Sequence, residues 1–267
     1  MRNTRNFTID RYLLSPGRKL YGVMFEAESR FGLLNDITSI AAKYKIRLPS
    51  IQYYSVTDTE RIGLIFMDLT DADVPIDVFI EEFSKIEGIK NVQLVNPVVD
   101  GFVIDNLSHR LLVGGIRAII MREFGYRGFI VGPRKQFGPA GEAFLYYVGF
   151  NVGIESAKPN REIAMKLGLE DPIQILQKVF TSLATCLGFG KVEFVDATKT
   201  PDLRLVLRIH DCFECELGLG SKEPYSYFIR GLIAGLSTQL FNRRIKVTEI
   251  KCIAKGDSYC EFIITPE

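Results

Sequence analysis

The segment "EIKCIAKGDSYCEF", residues 249–262, places one cysteine on each side of a Gly-Asp turn near the end of the chain. Strand-like residues flank the turn, so the segment predicts a terminal β-hairpin that brings Cys252 close to Cys260. Upstream, "HDCFECE", residues 210–216, contains a second pair of cysteines in a C-x-x-C arrangement. Four of the five cysteines therefore lie in the last quarter of the chain.

The composition is that of a globular protein with little net charge. The chain has 267 residues, enough for one large domain or two medium ones, and 47% of them are hydrophobic. The formal net charge of +1 provides no broad field for nucleic acid or an anionic membrane, so neither is predicted as a partner. Charges interrupt the N-terminal residues too often for a signal peptide, and no apolar run approaches the ~20 residues of a membrane span. We therefore expect a cytoplasmic protein, in which clustered cysteines indicate a metal or redox chemistry rather than disulfides.

Residues 1–98 alternate between strand and helix patterns. Strand patterns occupy four segments, at residues 19–28, 46–56, 61–70 and 89–97. One helical pattern follows the first strand and another follows the third. The resulting βαββαβ order predicts a ferredoxin-like α+β domain, in which two helices cover one face of a four-stranded antiparallel sheet.

The turn between the first strand and the first helix carries a family resemblance. In "ESRFGLLNDI", residues 28–37, an acidic residue precedes a glycine and an apolar pair, and Phe31 stands where the family pattern has proline. The segment resembles the ACT domain, a small regulatory module that binds amino acids. The resemblance implies that four residues of this turn hold an amino acid: Gly32, Leu33, Asn35 and Asp36. The alternative is that the glycine only permits a tight strand-to-helix turn.

The resemblance also implies self-association. ACT domains usually associate side by side, and a symmetric homodimer would cover the open edges of the sheet. We expect "SIQYYSV" and "RIGLIFMDLT" to supply these edges, because both are rich in β-forming residues and weakly charged. The alternative is that the second half of the same chain shields the edges.

Residues 99–267 contain predicted helices with paired glycines. Gly149 and Gly153 lie four residues apart in one helix, and Gly231 and Gly235 have the same spacing in another. Small residues at this spacing lie on one helical face and permit close contact between helices. The apolar segment "RLLVGGIRAIIMREFGY", residues 110–126, is predicted as a helix as well.

Three segments of this second half carry a further resemblance: "DCFECE", "YFIRGLIAGLSTQLFNR" and "EIKCIAKGDSYCEF". In this order they resemble the 4-vinyl reductase domain, also described as a hydrocarbon-binding domain. The resemblance implies helices packed on an antiparallel sheet around an apolar pocket, and in sensors of phenols the domain binds the aromatic compound near a zinc ion. Three aromatic residues of predicted helices are candidates to line the pocket: Tyr146, Phe150 and Phe228. The alternative for these side chains is an ordinary place in the core.

The same resemblance implies a metal site. Glu249, Cys252 and Cys260 have the spacing of three zinc ligands in those sensors, whereas the fourth, a cysteine, falls on Ser226. Serine is a poor zinc ligand, and C-x-x-C is a usual half-site for tetrahedral zinc. We therefore expect a structural zinc ion with Glu249 as a possible further partner of four thiolates: Cys212, Cys215, Cys252 and Cys260.

Two alternatives to zinc remain open. A reversible dithiol switch is the first, because a C-x-x-C arrangement lowers thiol pKa and neighbouring cysteines can pair. Plain buried cysteines are the second. Cys186 stands apart from the others in a predicted helix, and we expect it to fill the core.

These patterns favour a ligand-responsive regulatory protein over an enzyme. The chain has only two histidines, so no Ser–His–Asp set can be assembled, and it carries no nucleotide-binding fingerprint. No catalytic residue is therefore assigned. The alternatives are an enzyme or carrier for an apolar or tetrapyrrole-like substrate, and a scaffold without a ligand.

Overall fold

A computed structural model describes residues 6–199 and 202–267. The chain folds into two compact units, Met1–Ile119 and Ile120–Glu267. The division lies beyond residue 98, where the sequence suggested it, because a short strand at residues 102–104 pairs with the N-terminal strand at residues 12–14. Antiparallel sheets and helices occur in both units, which confirms the predicted α+β class. Among the described residues, no helix is long and apolar enough to cross a membrane.

The N-terminal unit contains ten regular elements. In chain order these are β1 (Tyr12–Leu14), β2 (Leu20–Glu28), α1 (Leu33–Lys43), β3 (Arg47–Ser55), β4 (Glu60–Asp68), α2 (Ile76–Ser84), β5 (Ile89–Val95), β6 (Phe102–Ile104), β7 (Leu111–Val113) and β8 (Ile116–Ala118). The predicted βαββαβ order is present in β2 to β5, which form an antiparallel sheet of order β3-β4-β2-β5. Phe25 of the sheet packs with Phe79 and Phe83 of α2 in the core of this unit.

A small apolar cluster also lies on the sheet of this unit. Leu20, Phe66 and Val95 pack there with Val103 of β6, which pairs with β1 in a two-stranded ribbon. The sheet edges are β3 and β5, whereas β4 lies between β3 and β2. The expectation that "RIGLIFMDLT" forms an edge is therefore wrong, because β4 pairs along both of its sides.

The segment predicted as a helix at residues 110–126 is instead a hairpin followed by a helix. Strands β7 and β8 pair with each other around Gly114 and Gly115, whose φ angles are 56° and 79°. Two consecutive positive φ angles define the turn that joins two antiparallel strands most tightly, and glycine adopts them without strain. The Gly-Gly dipeptide therefore outweighs the helical pattern of the apolar residues around it.

The C-terminal unit combines helices with a second antiparallel sheet. Its elements are α3 (Glu123–Phe137), α4 (Pro139–Lys166), α5 (Pro172–Gln174), a π-helical segment (Ile175–Phe180), α6 (Thr181–Cys186), β9 (Lys191–Thr198), β10 (Arg204–His210), α7 (Phe213–Glu216), α8 (Tyr227–Phe241), β11 (Ile245–Lys251), a 3₁₀ turn (Ile253–Lys255) and β12 (Cys260–Pro266). The sheet order is β11-β12-β10-β9. The predicted terminal hairpin is confirmed as the pair β11–β12.

Helices α4 and α8 touch through their backbones at the paired glycines. A Cβ atom on Gly153 would lie 2.2 Å from the carbonyl oxygen of Leu232, and one on Gly235 would lie 1.9 Å from that of Phe150. Real Cβ atoms do not approach backbone oxygens so closely, so only glycine fits at these positions. The spacing noted in the sequence is thus the contact surface of this helix pair.

We predict that Gly235→Ala destabilises the protein by about 3 kcal/mol, because the added methyl group forces the two backbones apart. Chemical denaturation followed by circular dichroism measures this loss. Gly132→Ala in α3 is the matched control, since no heavy atom lies within 4 Å of its added Cβ. Helix propensity should make that control neutral or more stable by roughly 0.5–1 kcal/mol. Equal stability of the Gly235→Ala protein and the unmodified protein would contradict the close contact.

Candidate metal centre

A buried cluster of one carboxylate and three thiols lies where the terminal hairpin meets α7. Cys215 lies in α7, Glu249 in β11, Cys252 just after β11, and Cys260 at the first position of β12. Their ligand atoms all lie within 4.8 Å of one another, and all four residues are buried. These four residues can hold a metal ion.

The distances in the cluster fit a tetrahedral thiolate-rich site. The Sγ atoms of Cys215 and Cys252 are 3.6 Å apart, and the Cys215 Sγ lies 3.8 Å from Glu249 Oε1. Zinc–sulfur bonds of about 2.3 Å in a tetrahedron place two sulfurs about 3.8 Å apart. The donor set is therefore of the type and spacing that zinc prefers.

Cys212 borders this cluster. Its side chain is buried, and hydrogen bonds with the thiols of Cys215 and Cys260 lower the pKa of Cys212 to about 6. The same contacts, together with burial, raise the pKa of the Cys215 thiol. The structure thus brings all four predicted thiols into one region, with three of them grouped tightly around Glu249. Cys186 is exposed, so the expectation that it fills the core is wrong.

Strand pairing and a tight turn bring the thiols together. Ile209 of β10 pairs with Cys260 of β12, which places the turn that follows β10 beside the terminal hairpin. In the hairpin connection, the Cys252 N–H donates to Asp257 Oδ2 at 2.8 Å, and the Ile253 N–H donates to Cys260 Sγ at 3.5 Å. The Gly-Asp turn quoted above therefore supplies both the reversal and an acceptor that fixes Cys252.

Ser226, where the sensor pattern has a cysteine, binds the glutamate of the cluster. Its hydroxyl donates to Glu249 Oε2 at 2.6 Å, and its N–H donates to the same oxygen at 3.2 Å. Burial raises the pKa of Glu249 to about 7, although these hydrogen bonds oppose the shift. The spacing identified this position, but sequence alone did not show that its hydroxyl orients a neighbouring ligand.

A buried ion pair adjoins the cluster and was not predicted. The Arg134 Nη2 donates to Glu214 Oε1 at 2.7 Å, and the guanidinium lies 3.6 Å from the centre of the Tyr225 ring. Glu214 also accepts the N–H groups of Phe228 and Ile229 in the first turn of α8, at 3.0 and 2.8 Å. Burial raises the pKa of Glu214 to about 7, while the Ile229 N–H and the charge of Arg134 oppose the shift. The position of Glu214 inside C-x-x-C was a signal for this role, whereas nothing in the sequence around Arg134 identified its partner.

The three predicted pocket aromatics lie at the edge of the core rather than around one cavity. Tyr146 and Phe150 stack with ring centres 6.5 Å apart and line an open cleft of about 300 Å³. Tyr146 also lines a second open cleft, of about 670 Å³, together with Tyr227 and Arg230. Phe228 packs against Phe213 instead, with ring centres 6.3 Å apart.

The predicted amino-acid turn is held by an arginine that the sequence reasoning did not single out. Asp36 pairs with Arg30, whose Nε also donates to the carbonyl oxygen of Glu87 at 2.7 Å. Gly32 adopts a φ of 83° directly before α1, and Leu33 is buried in the core of the N-terminal unit. Asn35, which follows in the same helix, is exposed. The turn therefore has the glycine-dependent backbone that was expected, with its acidic residue already paired.

Comparison with protein families gives one match in the region of the cluster. Residues 205–266 match the 4-vinyl reductase domain. This segment runs from β10 to the end of β12, so it contains the thiols, Glu249 and helix α8.

Two curated relatives are uncharacterized proteins of Methanocaldococcus jannaschii. One is 28% identical over 126 residues, which cover 47% of this chain and 65% of the relative. The other is 45% identical over 58 residues, which cover 22% of this chain and 32% of the relative. The chain thus matches less than two thirds of the length of either protein.

A solved structure with a similar fold is the phenol-responsive sensory domain of the transcription activator PoxR with phenol. The TM-score is 0.52 at 16% sequence identity, over 58% of this chain and 79% of that domain. This likeness shows a shared fold.

We predict that Arg134→Met destabilises the protein by roughly 3–5 kcal/mol, because it leaves the Glu214 carboxylate buried without its counter-charge. Arg127→Met is the matched control on the same helix. Arg127 pairs with Glu123 at the surface, where such a pair contributes only about 0.3–0.5 kcal/mol. Urea denaturation measures both losses, and similar values for the two variants would contradict a structural role for the buried pair.

Proposed function

We propose that the chain is a ligand-responsive regulatory protein whose C-terminal unit binds a small apolar molecule near a structural zinc ion. The observation that carries this proposal is the buried group of Cys215, Glu249, Cys252 and Cys260 beside the start of α8. It connects a metal-binding donor set to the helix whose residues line the cleft around Tyr146. The match to the 4-vinyl reductase domain and the sensory-domain fold agree with a ligand-sensing role.

Zinc in this cluster would be structural. Catalytic zinc sites keep one position open for water or substrate, whereas structural sites have four protein ligands and no access. Cys215, Cys252, Cys260 and Glu249 are all buried, with Cys212 beside them as an alternative fourth ligand. A zinc ion here would cross-link α7 to the terminal hairpin, and its binding free energy would add to the stability of the fold.

The ligand would occupy the clefts around Tyr146. Their volumes, about 300 and 670 Å³, fall in the range of small-molecule sites. Burial raises the pKa of Tyr146, so its hydroxyl stays protonated and remains available as a hydrogen-bond donor beside an apolar ring. A structure of similar fold is described as phenol-responsive and holds phenol, which supports an aromatic compound as the class of ligand.

Helix α8 is the element that would transmit binding. Tyr227, in the larger cleft, directly follows Ser226, whose hydroxyl and N–H hold Glu249. A ligand that moves Tyr227 would therefore act on a residue next to the metal cluster. The resulting change at the start of α8 would be the signal that a partner protein reads.

For the N-terminal unit we propose the regulatory role that the ACT resemblance implies. An amino acid would bind at the backbone around Gly32 and at Asn35, and its ammonium group would compete with Arg30 for Asp36. A homodimer would form along β3 or β5, the two edges of the sheet. Native mass spectrometry of protein purified without added ligand would detect a bound amino acid and a doubled mass in the same measurement.

We predict about one zinc ion per purified chain, and a loss of most of this zinc in Cys252→Ser, because hydroxyl is a poor zinc ligand. The melting temperature should fall at the same time, since zinc binding is coupled to folding. Cys186→Ser is the matched control, as Cys186 is exposed. Elemental analysis and thermal melting with and without chelator measure the outcome.

Metal-free protein whose melting is unchanged by chelator would contradict the zinc proposal. The 3.6 Å between the sulfurs of Cys215 and Cys252 favours a dithiol switch as the second candidate function. A product two hydrogens lighter after mild oxidation, with these two cysteines linked, would support that alternative.

We predict that the protein binds phenol as a probe and that Tyr146→Ala weakens binding about 10-fold, because an aromatic contact and a hydroxyl donor are lost. Calorimetry measures both affinities. Tyr54→Ala is the control, since Tyr54 is exposed on β3 of the N-terminal unit. Absence of binding heat in the unmodified protein, or equal affinity of the Tyr146→Ala variant, would count against the proposed cleft.

A further inference from the structure

The β7–β8 hairpin exposes an unusual amount of apolar surface. Its tip, defined here as Leu112, Val113 and Ile116 around the Gly-Gly turn, has exposed fractions of 56%, 47% and 57%. Ile119, just after the hairpin, is 77% exposed. The two strands form a sheet of their own, and an isolated two-stranded hairpin is at best marginally stable in water. A contiguous exposed apolar patch of this kind marks a surface that binds something.

The tip is apolar on both faces of the ribbon. Val113 pairs with Ile116, and Leu112 pairs with Arg117, so these two cross-strand pairs point to opposite faces. A flat partner surface would cover one face and leave the other in water. A medium that surrounds the tip covers both faces, and the region where lipid headgroups meet acyl chains is such a medium.

The charge around the tip is positive without local compensation. Residues 106–122 contain Arg110, Arg117 and Arg122 and no acidic residue. Within the part of the chain that the structure describes, no acidic side chain forms an ion pair with Arg110 or Arg117. By contrast, Arg11 and Arg18 elsewhere in the same unit each pair with an aspartate. Unpaired arginines beside exposed aliphatic side chains match the chemistry of an anionic lipid surface.

We propose that the β7–β8 hairpin docks the protein on an anionic lipid bilayer. The tip extends two residues beyond Leu111 and Ala118, or about 6–7 Å, which matches the ~5–10 Å depth to which interfacial elements bury their apolar groups. Arg117, one residue from the tip, then lies at the level of the lipid phosphates. The net charge of +1 averages over the whole chain and therefore does not show this local basic patch.

Tryptophan fluorescence offers a direct test, because the chain contains no tryptophan. In full-length Ile116→Trp protein, the single indole should shift to shorter emission wavelength with vesicles of phosphatidylcholine containing about one third phosphatidylserine. It should stay unshifted with pure phosphatidylcholine. Sedimentation of the unmodified protein with the same two kinds of vesicle checks that the added indole does not create the binding.

Two variants and one control separate the contributions. The pair Arg110→Ser and Arg117→Ser should weaken binding to the anionic vesicles at least about 10-fold, since each arginine near the surface contributes to attraction. Val113→Ser combined with Ile116→Ser should weaken it comparably. Leu167→Ser is the control, because Leu167 is 65% exposed after α4 and lies outside the hairpin. It should leave binding unchanged.

Three results would overturn the proposal. The first is no sedimentation of the unmodified protein with anionic vesicles. The second is equal binding to both kinds of vesicle. The third is a particle mass of two chains in light scattering that reverts to one chain in the Val113→Ser, Ile116→Ser variant, with no vesicle binding. That result would assign a second copy of the chain as the occupant of the tip.

Discussion

The start of α8 is held by two buried carboxylates, and the C-terminal unit is organised around this arrangement. Glu214 accepts the N–H groups of Phe228 and Ile229, while Glu249 accepts the N–H and hydroxyl of Ser226. The positive end of a helix dipole favours negative charge at this place, which offsets part of the cost of burying the carboxyl groups. Each carboxylate then fixes a different part of the fold, since one binds an arginine of α3 and the other belongs to the thiol cluster.

Backbone contact between α4 and α8 extends this order along the helix. Because the glycines leave no side chain between them, the two helices are spaced by their backbones and behave as one packed unit. Tyr146 and Phe150 come from α4, and Tyr227 comes from α8, so the clefts lie against a rigid wall. Rigidity in the wall leaves ligand selection to the side chains at its surface, which can be exchanged more freely than the glycines beneath them.

Sequence patterns predicted the features that depend on local spacing. The terminal hairpin, the βαββαβ order and the gathering of four thiols all follow from residues close in sequence or from regular alternation. The errors arise where a distant partner or one dipeptide decides. Gly114 and Gly115 turn a pattern of apolar residues into a hairpin, and β4 becomes an inner strand only because β2 and β3 both pair with it. Arg134 could not be matched with its glutamate, since the two lie eighty residues apart in the chain.

The two oxygens of Glu249 have separate tasks. Oε2 accepts from Ser226, whereas Oε1 faces the thiol of Cys215. An ion bound through Oε1 would leave the contacts of Oε2 in place, so loading the cluster demands no rotation of the carboxylate and no release of the helix. The polypeptide can therefore complete its fold before the ion arrives and keep its shape after the ion departs, which makes the cluster a preorganised socket rather than a nucleus for folding.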